Sequence, residues 1–152
     1  MRQIALLAAA LAAIPLTAAL AQPPTAGLTA EQIVAARQSA YALSAGSFVA
    51  MKAAADAGAD VHLLALPARN LARWARTLPS LFPAGTNLPS SKALPAVWSD
   101  RAGFEARAAA YAAAAQALAE AAQSGDRAVF LARWGELRTA CGACHDAYRA
   151  PG

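Results

Sequence analysis

Near its C-terminus the chain carries Cys141-Gly142-Ala143-Cys144-His145, and these are its only two cysteines. The pattern is C-x-x-C-H, by which a c-type haem is attached. Two thiols three residues apart can each bond to one vinyl group of the same porphyrin. The histidine that follows is placed to bind the iron from one side. On a helix, Cys141, Cys144 and His145 project from one side. The porphyrin then lies against that helix, tied through Cys141 and Cys144 and bound at iron by His145. The second ring nitrogen of His145 needs a partner to orient it, or it faces solvent.

Two other chemistries share parts of this pattern. A C-x-x-C pair in an oxidising compartment also suits thiol–disulfide exchange, but that chemistry usually sits on a βαβ scaffold and no strand pattern is present. A zinc site needs a fourth ligand, and the only other histidine, His62, is far away in sequence.

The N-terminus supports the haem reading through its compartment. Met1-Arg2 is a short positive start, Ile4 to Leu20 is nearly all Ala, Leu and Ile, and Ala19-Leu20-Ala21 is a small-x-small cleavage site. Residues 1–21 read as a secretory signal peptide, cleaved before Gln22. The apolar run is at the short limit for a membrane span. The predicted destination is the bacterial periplasm, with no membrane attachment after cleavage. Residues 22–152 then form one domain, long enough to enclose a cofactor.

That domain reads as all-α. Much of its apolar content is alanine, the best helix former. Gln22 to Leu28 is a short tether. Thr29 and Gln32 have the spacing of a capping box, opening a helix from about Ala30 to Ala57 that Gly58 stops. Ile33, Arg37, Tyr41, Ser44, Phe48 and Met51 share one stripe of it. A second helix spans about Asp60 to Thr77, with Pro67 predicting a kink or a delayed start. Leu78 to Leu94 holds three prolines and a glycine. Connections of that length are usually functional, and this one is expected to cover an edge of the cofactor. A third helix runs from Pro95 to about Gln123, its apolar face formed by Val97, Phe104, Ala108, Tyr111, Ala115 and Leu118. After Ser124-Gly125, Asp126 caps a fourth helix that carries the haem motif to about Arg149. An antiparallel four-helix bundle, with one covalent haem near one end, is the predicted fold.

The formal charge is +4, falling to +3 when Arg2 leaves with the leader. The basic residues are scattered, which argues against nucleic acid as a partner and fits a solvated helical surface. A mild excess of this kind can steer an acidic redox partner protein. Opposite His145, a low-spin carrier wants a sixth ligand, Met or His. After cleavage only Met51 and His62 remain as such candidates, and each type is more often a core or surface residue. Trp74, Trp98 and Trp134 read as core or pocket walls rather than as an electron path.

Arg37-Gln38-Ser39-Ala40-Tyr41, Val97-Trp98-Ser99-Asp100 and Cys141 through Arg149 together resemble the class II c-type cytochromes, the cytochrome c′ family. The likeness spans nearly the whole mature chain. The C-terminal motif is common to all c-type cytochromes; its position together with the Arg-Gln pair is more specific. The resemblance implies a haem near one end of the bundle and, in many members, a homodimer packed through the first two helices. It also implies that Arg37 and Gln38 lie near a haem propionate, that Tyr41 occupies the position facing the iron, and that Arg149 lies close to the His145 side. A methionine at the Tyr41 position is the sixth ligand in the low-spin branch. With a non-ligating residue there the iron stays five-coordinate. A protonated tyrosine is a poor ligand, although tyrosinate binds iron in catalases. Tyr41 as a plain core aromatic and Arg37 as an ordinary surface residue are the alternatives.

Electron transfer is the leading expectation for function. A five-coordinate module binding NO or CO is the alternative, and an enzyme ranks last, because the first helix offers no distal histidine for acid–base work.

Overall fold

A computed structural model describes residues 27–151 of the chain. The predicted signal peptide and most of the tether lie outside the described residues. Four long helices form an antiparallel bundle: α1 (Ala30–Asp56), α2 (Ala65–Thr77), α4 (Arg101–Ser124) and α5 (Arg127–Tyr148). A single-turn helix, α3 (Ala96–Ser99), precedes α4. Among the described residues there is no strand, only an isolated bridge between Ala93 and Arg149.

The helix starts follow from local chemistry. Thr29 Oγ1 accepts from the Gln32 amide at 3.2 Å, and Gln32 Oε1 accepts from the Thr29 amide at 2.9 Å. Two otherwise orphaned donors are thereby satisfied. Asp126 Oδ1 accepts from the amides of Ala128 and Val129 at the start of α5. Gly125 ends α4 at φ 75°, the left-handed conformation that favours glycine. Pro67 delays α2 as expected. A 3-10 turn, Val61–Leu64, comes first, and α2 begins at Ala65, so the proline sits in the first helical turn, where no amide is needed.

The third helix departs from expectation. It is broken at Asp100, whose backbone (φ −117°, ψ 57°) is not helical. Asp100 caps α4 by accepting from the Gly103 amide at 3.2 Å, and Tyr148 Oη donates to its other carboxylate oxygen at 2.7 Å. An aspartate that stabilises a helix start competes with helix continuation through the same position, and here the start prevails.

The core divides into two clusters. One joins α1, α2, α4 and α5 around Met51, Leu71, Leu118, Phe130 and Leu137. Phe130, Leu118 and Leu137 are wholly buried, and each contributes about 1.5–3 kcal/mol of burial. The other cluster collects Leu78, Phe82, Val97, Phe104, Ala108 and Tyr148. Between them lies the cavity described next.

Candidate haem site

The cavity has a volume of about 610 Å³ and is lined from α1, α2, α4, α5 and the connection between α2 and α3. That size lies within the usual range for cofactor sites, roughly 300–1,000 Å³. Cys141, Cys144 and His145 all line it, so the three residues of the motif meet one space. Tyr41, Phe48, Leu71, Phe82, Phe104, Tyr111 and Leu137 supply much of the apolar wall. Among the described lining residues there is no carboxylate and no second histidine.

The two cysteines are not bonded to each other. Burial pushes both thiols upward; Cys144 adds to this at Cys141, while Arg107 opposes it at Cys144. Exchange chemistry needs a thiol pulled down toward thiolate, which is the reverse of this environment. Among the described residues no three His, Cys, Asp or Glu side chains converge as a metal centre. The residues do fit a haem: two half-buried thiols, one imidazole and an apolar chamber of cofactor size.

His145 sits at the rim, exposed on one side and facing both the cavity and a shallow recess shared with Arg149. Partial burial and the Arg149 charge push its imidazole downward, against Asp146. Metal ligation needs that neutral form. No described residue hydrogen-bonds to its ring.

Neither Met51 nor His62 lines the cavity. Met51 is 2% exposed within the larger core cluster. His62 lies on the exposed turn before α2, its ring against Gly125. Tyr41 is among the α1 residues that line the chamber, with Arg37, Gln38 and Phe48. Burial is the main cause that drives its phenol upward, with the Cys144 and Tyr111 neighbours adding to it and Arg37 opposing. This environment favours the phenol over the tyrosinate.

Arg37 lines the cavity, but its side chain is buried, with only 2% exposed. Its Nη1 donates to Leu81 O at 3.1 Å and Thr86 Oγ1 at 3.0 Å; its Nη2 donates to Thr86 O at 2.9 Å and Ser91 Oγ at 2.7 Å. The guanidinium also stands 4.3 Å over the Phe82 ring. An ordinary surface role is thus excluded. Gln38 Nε2 donates to Ser90 O at 2.8 Å. Trp98 Nε1 binds Pro83 O, and Arg101 binds Phe82 O and Pro79 O. The long connection is therefore fastened from α1, α3 and α4, and it walls the cavity through Phe82, Ser90, Ser91, Lys92 and Ala93.

None of the three tryptophans lines the chamber; each backs an aromatic that does. Trp74 meets Tyr41 edge-on at 5.4 Å, Trp98 lies against Phe82 at 6.3 Å, and Trp134 stacks on Phe48 at 4.3 Å. Sequence reasoning placed Tyr111 on the apolar face of its helix and missed its place beside the cysteines. Its four-residue spacing from Ala115 and position one heptad past Phe104 gave core periodicity only.

A haem-sized chamber at one end of a helical bundle, with a C-x-x-C-H helix along one wall, defines a c-type cytochrome of the four-helix class. The sequence pattern of the cytochrome C′ family matches residues 32–149, and the chain belongs to that family. It is similar to cytochrome c′ of Rubrivivax gelatinosus, 38% identical over 74% of this chain and 90% of that protein. Cytochrome c′ of Alcaligenes xylosoxydans xylosoxydans is 33% identical over 78% of this chain and 94% of that one. The crystal structure of the Rubrivivax gelatinosus protein superposes with a TM-score of 0.74, at 34% identity, over 80% of this chain and 98% of that one. A variant of the Alcaligenes xylosoxidans protein, solved as its nitric oxide complex, gives 0.76 at 31% identity, over 82% and 98%.

Proposed function

We propose that the chain is a periplasmic haem c protein whose iron is five-coordinate and takes NO or CO on the side away from His145. Cys141 and Cys144 hold the macrocycle by thioether bonds, and His145 binds the iron. The bound haem supplies a redox-active iron with an exchangeable position. The observation that carries this reading is the absence, among the described cavity-lining residues, of any methionine or second histidine, with Tyr41 in the lining. Family relatives solved with nitric oxide and with carbon monoxide support it.

The residues divide the remaining work. Arg37 and Gln38 fix the connection that closes the propionate end, with Gln38 and the Arg37 Nε left to meet a carboxylate there. The apolar wall keeps bulk water from the iron. Partial burial and, after it, Arg149 both favour the neutral form of His145. Apart from His145, the described lining offers no carboxylate or histidine for proton delivery, which supports a binding or carrier role over an enzymatic one.

Electron transfer with an acidic periplasmic partner is the second reading. It is favoured by the half-exposed Cys141–Cys144 edge, through which a bound haem would approach the surface. A homodimer through the first two helices is part of the proposal. Leu43 and Val49 on α1, Leu63 in the turn before α2 and Leu66 in the first turn of α2 are 77%, 63%, 75% and 59% exposed. No helix among the described residues is long and apolar enough to cross a membrane.

Optical spectra of the ferric and ferrous protein, with and without CO, test the reading. A high-spin ferrous spectrum that shifts on CO addition is expected. A low-spin six-coordinate spectrum indifferent to CO and NO would leave electron transfer alone.

A further inference from the structure

Three cations line the cavity, Arg37, Lys92 and Arg149, and among the described lining residues no carboxylate offsets them. Arg37 has little left to give. A guanidinium carries five N–H donors, and the four on Nη1 and Nη2 go to Leu81 O, Thr86 Oγ1, Thr86 O and Ser91 Oγ. The Nε–H alone remains. Gln38 is uncharged and already gives one amide hydrogen to Ser90 O. Arg149 stands on the His145 side, in the recess it shares with that residue and Asp146. A haem brings two propionate carboxylates, and one free Nε–H with a neutral amide serves one of them at most.

Lys92 is one of two lysines in the chain. The other, Lys52, is paired with Asp56 at 2.6 Å. Among the described residues the Lys92 ammonium has no ion pair, although the residue is half-buried and lines the cavity. Its backbone is held from both sides. Lys92 O accepts from Ala150 N at 2.8 Å, and Leu94 N donates to Tyr148 O at 3.0 Å, which ties the segment to the end of α5. Ala93 N donates to Ser91 Oγ at 3.1 Å, and that same oxygen accepts from Arg37 Nη2. The Arg37 network therefore fixes the root of Lys92, while its four-carbon stem and three donors stay free to meet an acceptor. A half-buried ammonium without a partner is unfavourable, and the anion that can reach this wall arrives with the cofactor.

We infer that Lys92 is the counter-ion of the second haem propionate and that this ion pair holds the reduction potential of the iron upward. The inference rests on the haem reading of the site given above and assigns it a further residue. The sign follows from charge. Ferrous haem carries one positive charge fewer than ferric haem, so a nearby cation favours the ferrous state, and an unpaired propionate favours the ferric state.

The test is a spectroelectrochemical titration of the holoprotein and of its Lys92→Leu, Lys92→Arg and Lys52→Leu variants. Resonance Raman spectra of each supply a second readout, the propionate bending mode, which responds to hydrogen bonding at the carboxylate. Lys92→Leu should shift the ferric/ferrous equilibrium roughly 3- to 10-fold toward ferric, a potential about 30–60 mV lower at about 59 mV per tenfold, and should move the propionate mode. Lys92→Arg should keep both near those of the parent, and Lys52→Leu should move neither. A propionate mode unmoved in Lys92→Leu overturns the inference, as does a fall in potential matched by Lys52→Leu, which is the mark of bulk charge alone. Either result, in a parent protein that carries covalent haem and binds CO, leaves the proposed function standing. A parent protein that carries no covalent haem overturns both.

Discussion

Replacing Arg37 with leucine removes the fastening that holds the α2–α3 connection over the cavity. Four hydrogen bonds are lost, to Leu81 O, Thr86 Oγ1, Thr86 O and Ser91 Oγ, along with the guanidinium–Phe82 contact. Each bond from a charged donor is worth about 1.5–3 kcal/mol. Against this stands the desolvation of a cation with no carboxylate partner among the described residues, several kcal/mol by itself. Burial accordingly pushes the guanidinium below its usual range, partly opposed by Tyr41. The buried acceptors of Thr86, itself 1% exposed, would then lack a partner. These opposing effects leave a net loss of about 3–5 kcal/mol. With a urea m-value of about 2 kcal/mol/M, the midpoint of the holoprotein should fall by about 1.5–2.5 M, read by far-UV circular dichroism. Thr86→Val in the Arg37→Leu background should cost clearly less than it does alone, because the two share one network. A loss under about 1 kcal/mol for Arg37→Leu, or full additivity of the two changes, would refute the claim that this guanidinium pins the connection.

Three further outcomes are expected. Gly103→Ala should destabilise by about 1–3 kcal/mol, because the added Cβ meets Asp100 Oδ2 and lies 2.5 Å from Tyr148 Oη; an unchanged melting temperature would contradict the tight packing at the start of α4. Tyr148→Phe should lose about 1.5–3 kcal/mol, the worth of a bond to a carboxylate; a neutral effect would mean that the link from α5 to Asp100 does not matter. Tyr41 and Tyr111 both hold their protons above the usual value of 10.0, so above pH 10 the folded protein binds more protons than the unfolded chain and stability falls as pH rises. Urea midpoints across that range should fall less steeply for the Tyr41→Phe/Tyr111→Phe variant, and identical slopes would show that the phenols are not the source.

The helices and their caps were legible because their causes are local. Thr29 with Gln32, Gly125 and Asp126 act within a few residues of themselves, and the α1 stripe from Ile33 to Met51 repeats at the helical period. The haem helix was legible for the same reason, its three functional residues being consecutive on one face. What the sequence hid is long-range. The Asp100 break depends on both its own cap and Tyr148, 48 residues away. The Arg37 network joins residues 44 to 54 positions apart, and nothing near Arg37 announces Leu81, Thr86 or Ser91. Tyr111 read as one more apolar position because periodicity reports burial and does not distinguish a solid core from the wall of a chamber. The roles of Met51 and His62 stayed open for a related reason: a methionine on a core stripe fits packing and ligation equally until the cavity is located.

The central claim is that residue 41 faces an open iron position across from His145, and the Tyr41→Met variant tests it most directly. Electronic and resonance Raman spectra of ferric and ferrous holoprotein would be compared with those of the parent and of Tyr41→Phe. The account predicts that the parent and Tyr41→Phe are five-coordinate and high-spin in the ferrous state. It predicts that the thioether at position 41 binds the iron, giving a low-spin spectrum and impeding CO. A Tyr41→Met protein that remains high-spin and takes up CO like the parent would contradict it, because the side chain at 41 would then not face the iron.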